Sequence, residues 1–202
     1  MQTQNSILQK LRRPTDGGEV PTGWRRSIWV VLLVAASVAF SLGFACAMPF
    51  AGLGAAAALT LNRRDALLLS GAAWLANQVV GFAFLDYPWD GSTLAWGVVL
   101  GVVAVLATVA AQGIAKRLAG RGAILASVAA FAGAFAVYEG GLFVVSATWL
   151  GGIEDFVPTI VARILAINAA AFAALLVASR LGSTVGLVMK PLALLAETER
   201  HA

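Results

Sequence analysis

The chain has 202 residues, of which 60% are hydrophobic and only 12% charged, with a mean hydropathy of +0.86. Soluble domains carry about 25% charged residues, so this composition describes an integral membrane protein rather than a soluble domain. The net charge of +4 sits in short clusters at the ends of apolar segments, which argues against a nucleic-acid interface, and the single cysteine excludes a disulfide framework or a cysteine-pair metal site.

Residues 1–27 form a polar tail whose Lys10, Arg12, Arg13, Arg25 and Arg26 place it in the cytoplasm, and no cleavable signal peptide is evident in it. The apolar run 28–61 carries no charge and is long enough for one full span plus a shorter return piece, since about 20 helical residues cross a bilayer core. Pro49 marks the break, because proline removes a backbone donor and disfavours helix at the residue before it. The first span is 28–48. Its Ala35, Ala39, Gly43 and Ala47 recur every four residues and form a groove of small side chains that another helix can approach closely. The return piece, 50–61, is short for a crossing and closes at Asn62-Arg63-Arg64-Asp65. Further spans are expected at 66–85, 93–115, 123–147 and 157–180, followed by a C-terminal tail 182–202.

The expected fold is therefore an all-α membrane bundle of six helices over 28–181, with both termini cytoplasmic. The charges support it. Of the 14 Lys and Arg residues, all but Arg163 fall on the side assigned to the cytoplasm, while the opposite side holds Asp86, Asp90, Glu154 and Asp155.

Polar side chains in hydrocarbon face a partner or a cavity, so their depth is informative. At 1.5 Å per residue, Glu139 and Asn77 lie about 12 Å from the outer ends of their helices, Arg163 about 9 Å and Asn168 about 16 Å. Glu139 and Arg163 share a depth at which they either lock two helices together as an ion pair or line an outward-facing pocket. Trp74, Asn77 or Gln78, and Gly81 share one helix face, and Phe135, Glu139 and Phe143 another, which is the mixture of apolar walls and few polar groups found in small-molecule sites. The loop Asp86-Tyr87-Pro88-Trp89-Asp90 reads as a lid or as an interfacial aromatic anchor. Cys46 reads first as a small buried hydrophobe and next as a soft metal ligand. A catalytic thiol is disfavoured, since no base lies near it. There is no P-loop, dinucleotide glycine fingerprint, zinc-protease motif or histidine in any span, and no catalytic constellation is visible.

The layout of about 200 residues, six spans, cytoplasmic termini and a short irregular second segment resembles the substrate-binding S-components of energy-coupling-factor (ECF) vitamin transporters. Ala35, Ala39 and Gly43 resemble the alanine ribbon through which those subunits dock on their transmembrane partner. The resemblance implies a bacterial inner-membrane subunit that takes up a vitamin from the outer side, energised by separate ATPases. It also implies a ligand beneath Cys46–Pro49, Asp86–Asp90 and Gly151–Phe156. Cys46 further resembles, at a different position, the cobalt-ligating cysteine of the solitary cobalamin type within that family, for which Asn77, Gln78 and Asn168 would meet the corrinoid amides. The ligand-binding set expected on these grounds is Cys46, Trp74, Asn77, Gln78, Tyr87, Trp89, Glu139, Arg163 and Asn168. The rival readings are a structural or assembly subunit of a larger membrane complex, with no ligand of its own, and a small membrane enzyme.

Overall fold

The computed structural model describes residues 48–184 together with Val31. The N-terminal tail, nearly all of the first span with Ala35, Ala39, Gly43 and Cys46, and residues 185–202 lie outside the described residues. Those described form helices joined by short turns, with no strand among them. The helices are α1 (Phe50–Thr60), α2 (Arg63–Phe84), α3 (Gly91–Leu118), α4 (Ala123–Val145) and α5 (Pro158–Thr184). Four stretches, Arg63–Phe84, Gly91–Arg121, Ala123–Leu150 and Pro158–Leu181, are long and apolar enough to cross a membrane. The chain is a membrane-embedded helical protein.

The centre of the bundle is α1, the shortest helix. Its sequence, FAGLGAAAALT, is apolar on every side, and a helix with no polar face is stable only when surrounded. Phe50, Ala51, Leu53, Ala55, Ala56, Ala57 and Leu59 are all buried, and α1 touches each of α2 to α5. Eleven residues rise only about 16 Å, roughly half of a 30 Å hydrocarbon core. The Phe50 ring lies 6.2 Å from that of Tyr138, fifteen residues or about 22 Å into α4. The return piece is therefore a half-crossing that starts mid-bundle at Pro49 and runs to the end bearing Arg63. Its non-helical lead-in at Met48 and Pro49 is buried, the condition under which irregular backbone is tolerated at membrane depth.

Two glycines allow the central packing. A Cβ on Gly52 would collide with the backbone carbonyl of Asn168 in α5, and one on Gly54 would lie 2.5 Å from Thr108 Oγ1 in α3. Thr108 is wholly buried; its hydroxyl contacts Ser70 Oγ of α2 at 2.6 Å and donates to Ala104 O at 3.0 Å. On α4, Ala126, Ala130, Ala134 and Tyr138 recur every four residues and are all buried, so this small-residue stripe faces the core.

Helix ends follow local chemistry, with one correction to the sequence reading. Asn62-Arg63-Arg64-Asp65 does not close the second segment; it opens the third. The Asn62 side chain accepts from Asp65 N–H at 3.0 Å, and its Nδ2 donates to Asp65 Oδ2 at 2.9 Å, a reciprocal cap that starts α2 at Arg63. Asp90 caps α3 by accepting from Thr93 N–H at 2.9 Å and Thr93 Oγ1 at 3.0 Å. These hydrogen bonds, the backbone one foremost, hold its carboxyl below the ordinary aspartate range. Pro158 opens α5, where its missing N–H costs nothing.

Candidate functional site

The bundle has two chemically distinct ends. Arg63, Arg64, Lys116, Arg117 and Arg121 lie at one, and Asp86, Asp90, Glu154 and Asp155 at the other. At the acidic end α4 does not stop cleanly. It widens into a π-helical turn, Ser146–Leu150, in which Ser146 O accepts from Gly151 N–H at 3.1 Å and Ser146 Oγ donates to Gly151 O at 2.8 Å. Gly151 (φ 77°) and Gly152 (φ 91°) then take left-handed conformations that side-chain-bearing residues rarely adopt, turning the chain into the short 3-10 turn Ile153–Asp155. Wide turns of this kind are frequent where helices meet functional sites.

The turn borders an open cleft of about 430 Å³ between α3 and α4. Trp96 and Leu100 line it from α3, one helical turn apart; Leu142 and Leu150 line it from α4 and its extension. Gly151, Gly152, Asp155 and Phe156 line its rim. Phe156 is held edge-on against Phe143 at 5.3 Å. Asp155 is the charged residue of the lining. Glu139 lies three residues before Leu142 on α4; it is 9% exposed, and its Oε1 is buried without a hydrogen-bond partner among the described residues. Glu139 is not among the residues that line the cavity.

The residues nominated from sequence are dispersed. Trp74 and Gln78 belong to the α2–α3 seam: Trp74 Nε1 donates to Gly97 O at 2.7 Å, a Cβ on Gly101 would come within 2.7 Å of the Trp74 ring, and one on Gly97 would meet Gln78 Oε1 at 2.6 Å. Asn77 is half-buried on the same helix. Tyr87 packs on Gly81 and meets Phe82 edge-on at 6.0 Å, while the Trp89 ring lies 4.5 Å from Phe82. The 86–90 loop is thus folded down on α2, with a turn at Asp86 (φ 52°), and none of its residues lines the cavity. Glu139 and Arg163 do not form an ion pair: the carboxyl is buried, and Arg163 is exposed on the outward side of α5. A long arginine there can extend its head toward the interface. Asn168 is 1% exposed and acts within the fold, accepting from Gly52 N–H at 2.9 Å through Oδ1 and donating from Nδ2 to Ile164 O at 3.0 Å. Cys46, with its metal-ligand reading, lies outside the described residues.

Among the described residues of the nominated set, none lines the cavity. Sequence reasoning named Gly151–Phe156 through the family resemblance but did not single out Trp96, Leu100, Leu142 or Leu150. The only signal for the last four was helical spacing, which apolar membrane segments show almost everywhere. No family model, no curated protein and no solved structure matches the chain.

Proposed function

We propose that the chain is a membrane-embedded binding subunit that takes a small molecule from the outer side of a bacterial inner membrane, in the manner of an ECF S-component. One observation carries the reading: a cleft of about 430 Å³ lies beside Gly151–Phe156, on the acidic side, with Asp155 in its lining. The positive-inside tendency makes the Arg63 end cytoplasmic and this cavity outward-facing. Small-molecule sites span about 300–1,000 Å³, so a compact aromatic or amine-bearing ligand suits this volume better than a corrinoid. Asp155 favours a ligand rich in hydrogen-bond donors or carrying positive charge. Uptake would require a separate transmembrane component and ATPases, with Ala35, Ala39 and Gly43 as the docking ribbon. The α1 half-helix fits such a role, because broken helices surround the sites of many transporters.

A second reading has its own support. Trp74, Gln78 and Asn168 all serve contacts between helices, as expected of a structural subunit within a larger complex. Mass spectrometry of gently purified protein separates the two. The binding reading expects a co-purified small molecule that is lost from Leu142→Trp, a variant that fills the cavity, while thermal unfolding stays cooperative. A ligand-free preparation that carries other membrane chains would replace it with the structural reading. Added cyanocobalamin whose absorbance spectrum differs between wild type and Cys46→Ser would restore the corrinoid.

A further inference from the structure

A second cavity, of about 500 Å³, lies at the opposite, basic end and is independent of the outer one. Its walls are Leu59 and Leu61 from the end of α1, Ala115 from α3 and Ala126 from α4. Arg63 and Lys116 line it as well, both exposed, and no acidic residue lines it. Asn62, which caps the first turn of α2 and holds the Asp65 carboxylate, is at the same mouth. Inside, Gln112 is 7% exposed, and its Oε1 is buried with no hydrogen-bond partner among the described residues. A cavity sealed around protein alone would leave that amide a liability of its own; one that receives a polar group does not.

We propose that this cavity binds one anionic phospholipid, with the phosphate between Arg63 and Lys116, an acyl chain along Leu59, Leu61 and Ala126, and Gln112 Oε1 accepting from a headgroup hydroxyl. The combination of apolar walls, two cations at the rim and an unpaired amide within fits an amphiphile carrying negative charge. Basic pockets between membrane helices on the cytoplasmic side are where such headgroups bind. A free phosphate would use the rim and leave the apolar depth empty, which is why the lipid is the assigned occupant.

The test uses the full chain in detergent, titrated separately with dioleoyl phosphatidylglycerol, dioleoyl phosphatidylcholine and inorganic phosphate, with bound equivalents counted by native mass spectrometry and Tm followed in parallel. One equivalent of phosphatidylglycerol is expected to remain bound and to raise Tm, with phosphatidylcholine and inorganic phosphate doing neither. Arg63→Gln combined with Lys116→Gln, both exposed positions, is expected to weaken phosphatidylglycerol roughly ten- to thirtyfold. Ala115→Phe, which fills the cavity and keeps both cations, is expected to abolish the tight equivalent. Equal retention of phosphatidylcholine, or undiminished phosphatidylglycerol binding in either variant, overturns the proposal. Stabilisation by inorganic phosphate alone to the same extent assigns the rim to a free anion and overturns the lipid.

Discussion

Asn168 shows how a polar residue in a membrane helix can be indispensable without touching a ligand. The first N–H groups of α1 have no partner within the helix, and they lie mid-bundle, where no bulk water reaches them. Asn168 answers one of them from another helix, at 2.9 Å from Gly52 N. Because Gly52 lacks a side chain, α5 comes close enough for the bond; a Cβ would strike the Asn168 carbonyl. Asn168→Leu, which leaves the N–H buried and unpaired, should lower stability by about 1–3 kcal/mol. Combining it with Gly52→Val should cost less than the two single changes summed, since both disrupt one contact. Chemical or thermal unfolding in detergent reads both numbers; an unchanged Tm for Asn168→Leu would remove the capping role. The sequence made Asn168 conspicuous, because a buried amide in a span must have a partner. It could not name that partner, since a backbone N–H exposed by a helix break leaves no mark in residue identity.

At the scale of elements, the segmentation was mostly legible. Expected helices at 66–85, 93–115, 123–147 and 157–180 correspond to α2 (Arg63–Phe84), α3 (Gly91–Leu118), α4 (Ala123–Val145) and α5 (Pro158–Thr184). Hydropathy and breakers set those bounds, and caps corrected them: the Asn62–Asp65 pair pulled α2 three residues earlier. What did not follow was which faces meet. Gly97-Val98-Val99-Leu100-Gly101 is a small-xxx-small spacing in plain view on α3, the same pattern as Ala35, Ala39 and Gly43 in the sequence of the first span. Helical spacing gives a face its composition but not its azimuth, so Trp74 and Gln78 looked like pocket residues until α3 was set against them. The seam makes a sharp prediction. Gly101→Val would drive two methyl groups into the Trp74 indole and should destabilise by about 1–3 kcal/mol. Gly113→Val, the same substitution on the same helix where nothing lies within 4 Å, should stay within about 0.5 kcal/mol of wild type. Equal effects at the two positions would mean that helix propensity, not the α2–α3 contact, governs the site.

For the whole molecule, charge asymmetry and the half-helix together determine what each end can do. Four long helices carry the bilayer contact, and α1 reaches only from the basic end to the middle. Below that midpoint the core is filled by α1 itself. Above it, α3 and α4 have no central helix from the described part of the chain to pack on, and there the π turn at Ser146–Leu150 shapes the outer cavity. The sequence revealed the charge segregation, because positive residues retained on one side need no folding information to be counted. It concealed the vertical extent of α1, which depends on where its N-terminus is anchored against Tyr138 and Asn168. Assignment of the two ends to the two faces of the membrane then rests on charge alone, and single-cysteine labelling decides it. In a Cys46→Ala background, free of other thiols, Glu154→Cys should react with a membrane-impermeant maleimide in intact cells, and Arg121→Cys only after permeabilisation. Both positions are exposed, so lack of labelling before permeabilisation reflects sidedness rather than burial. The reverse pattern would turn the outer cavity toward the cytoplasm and make it a site for release or regulation, leaving the helix packing untouched but removing the basis for uptake.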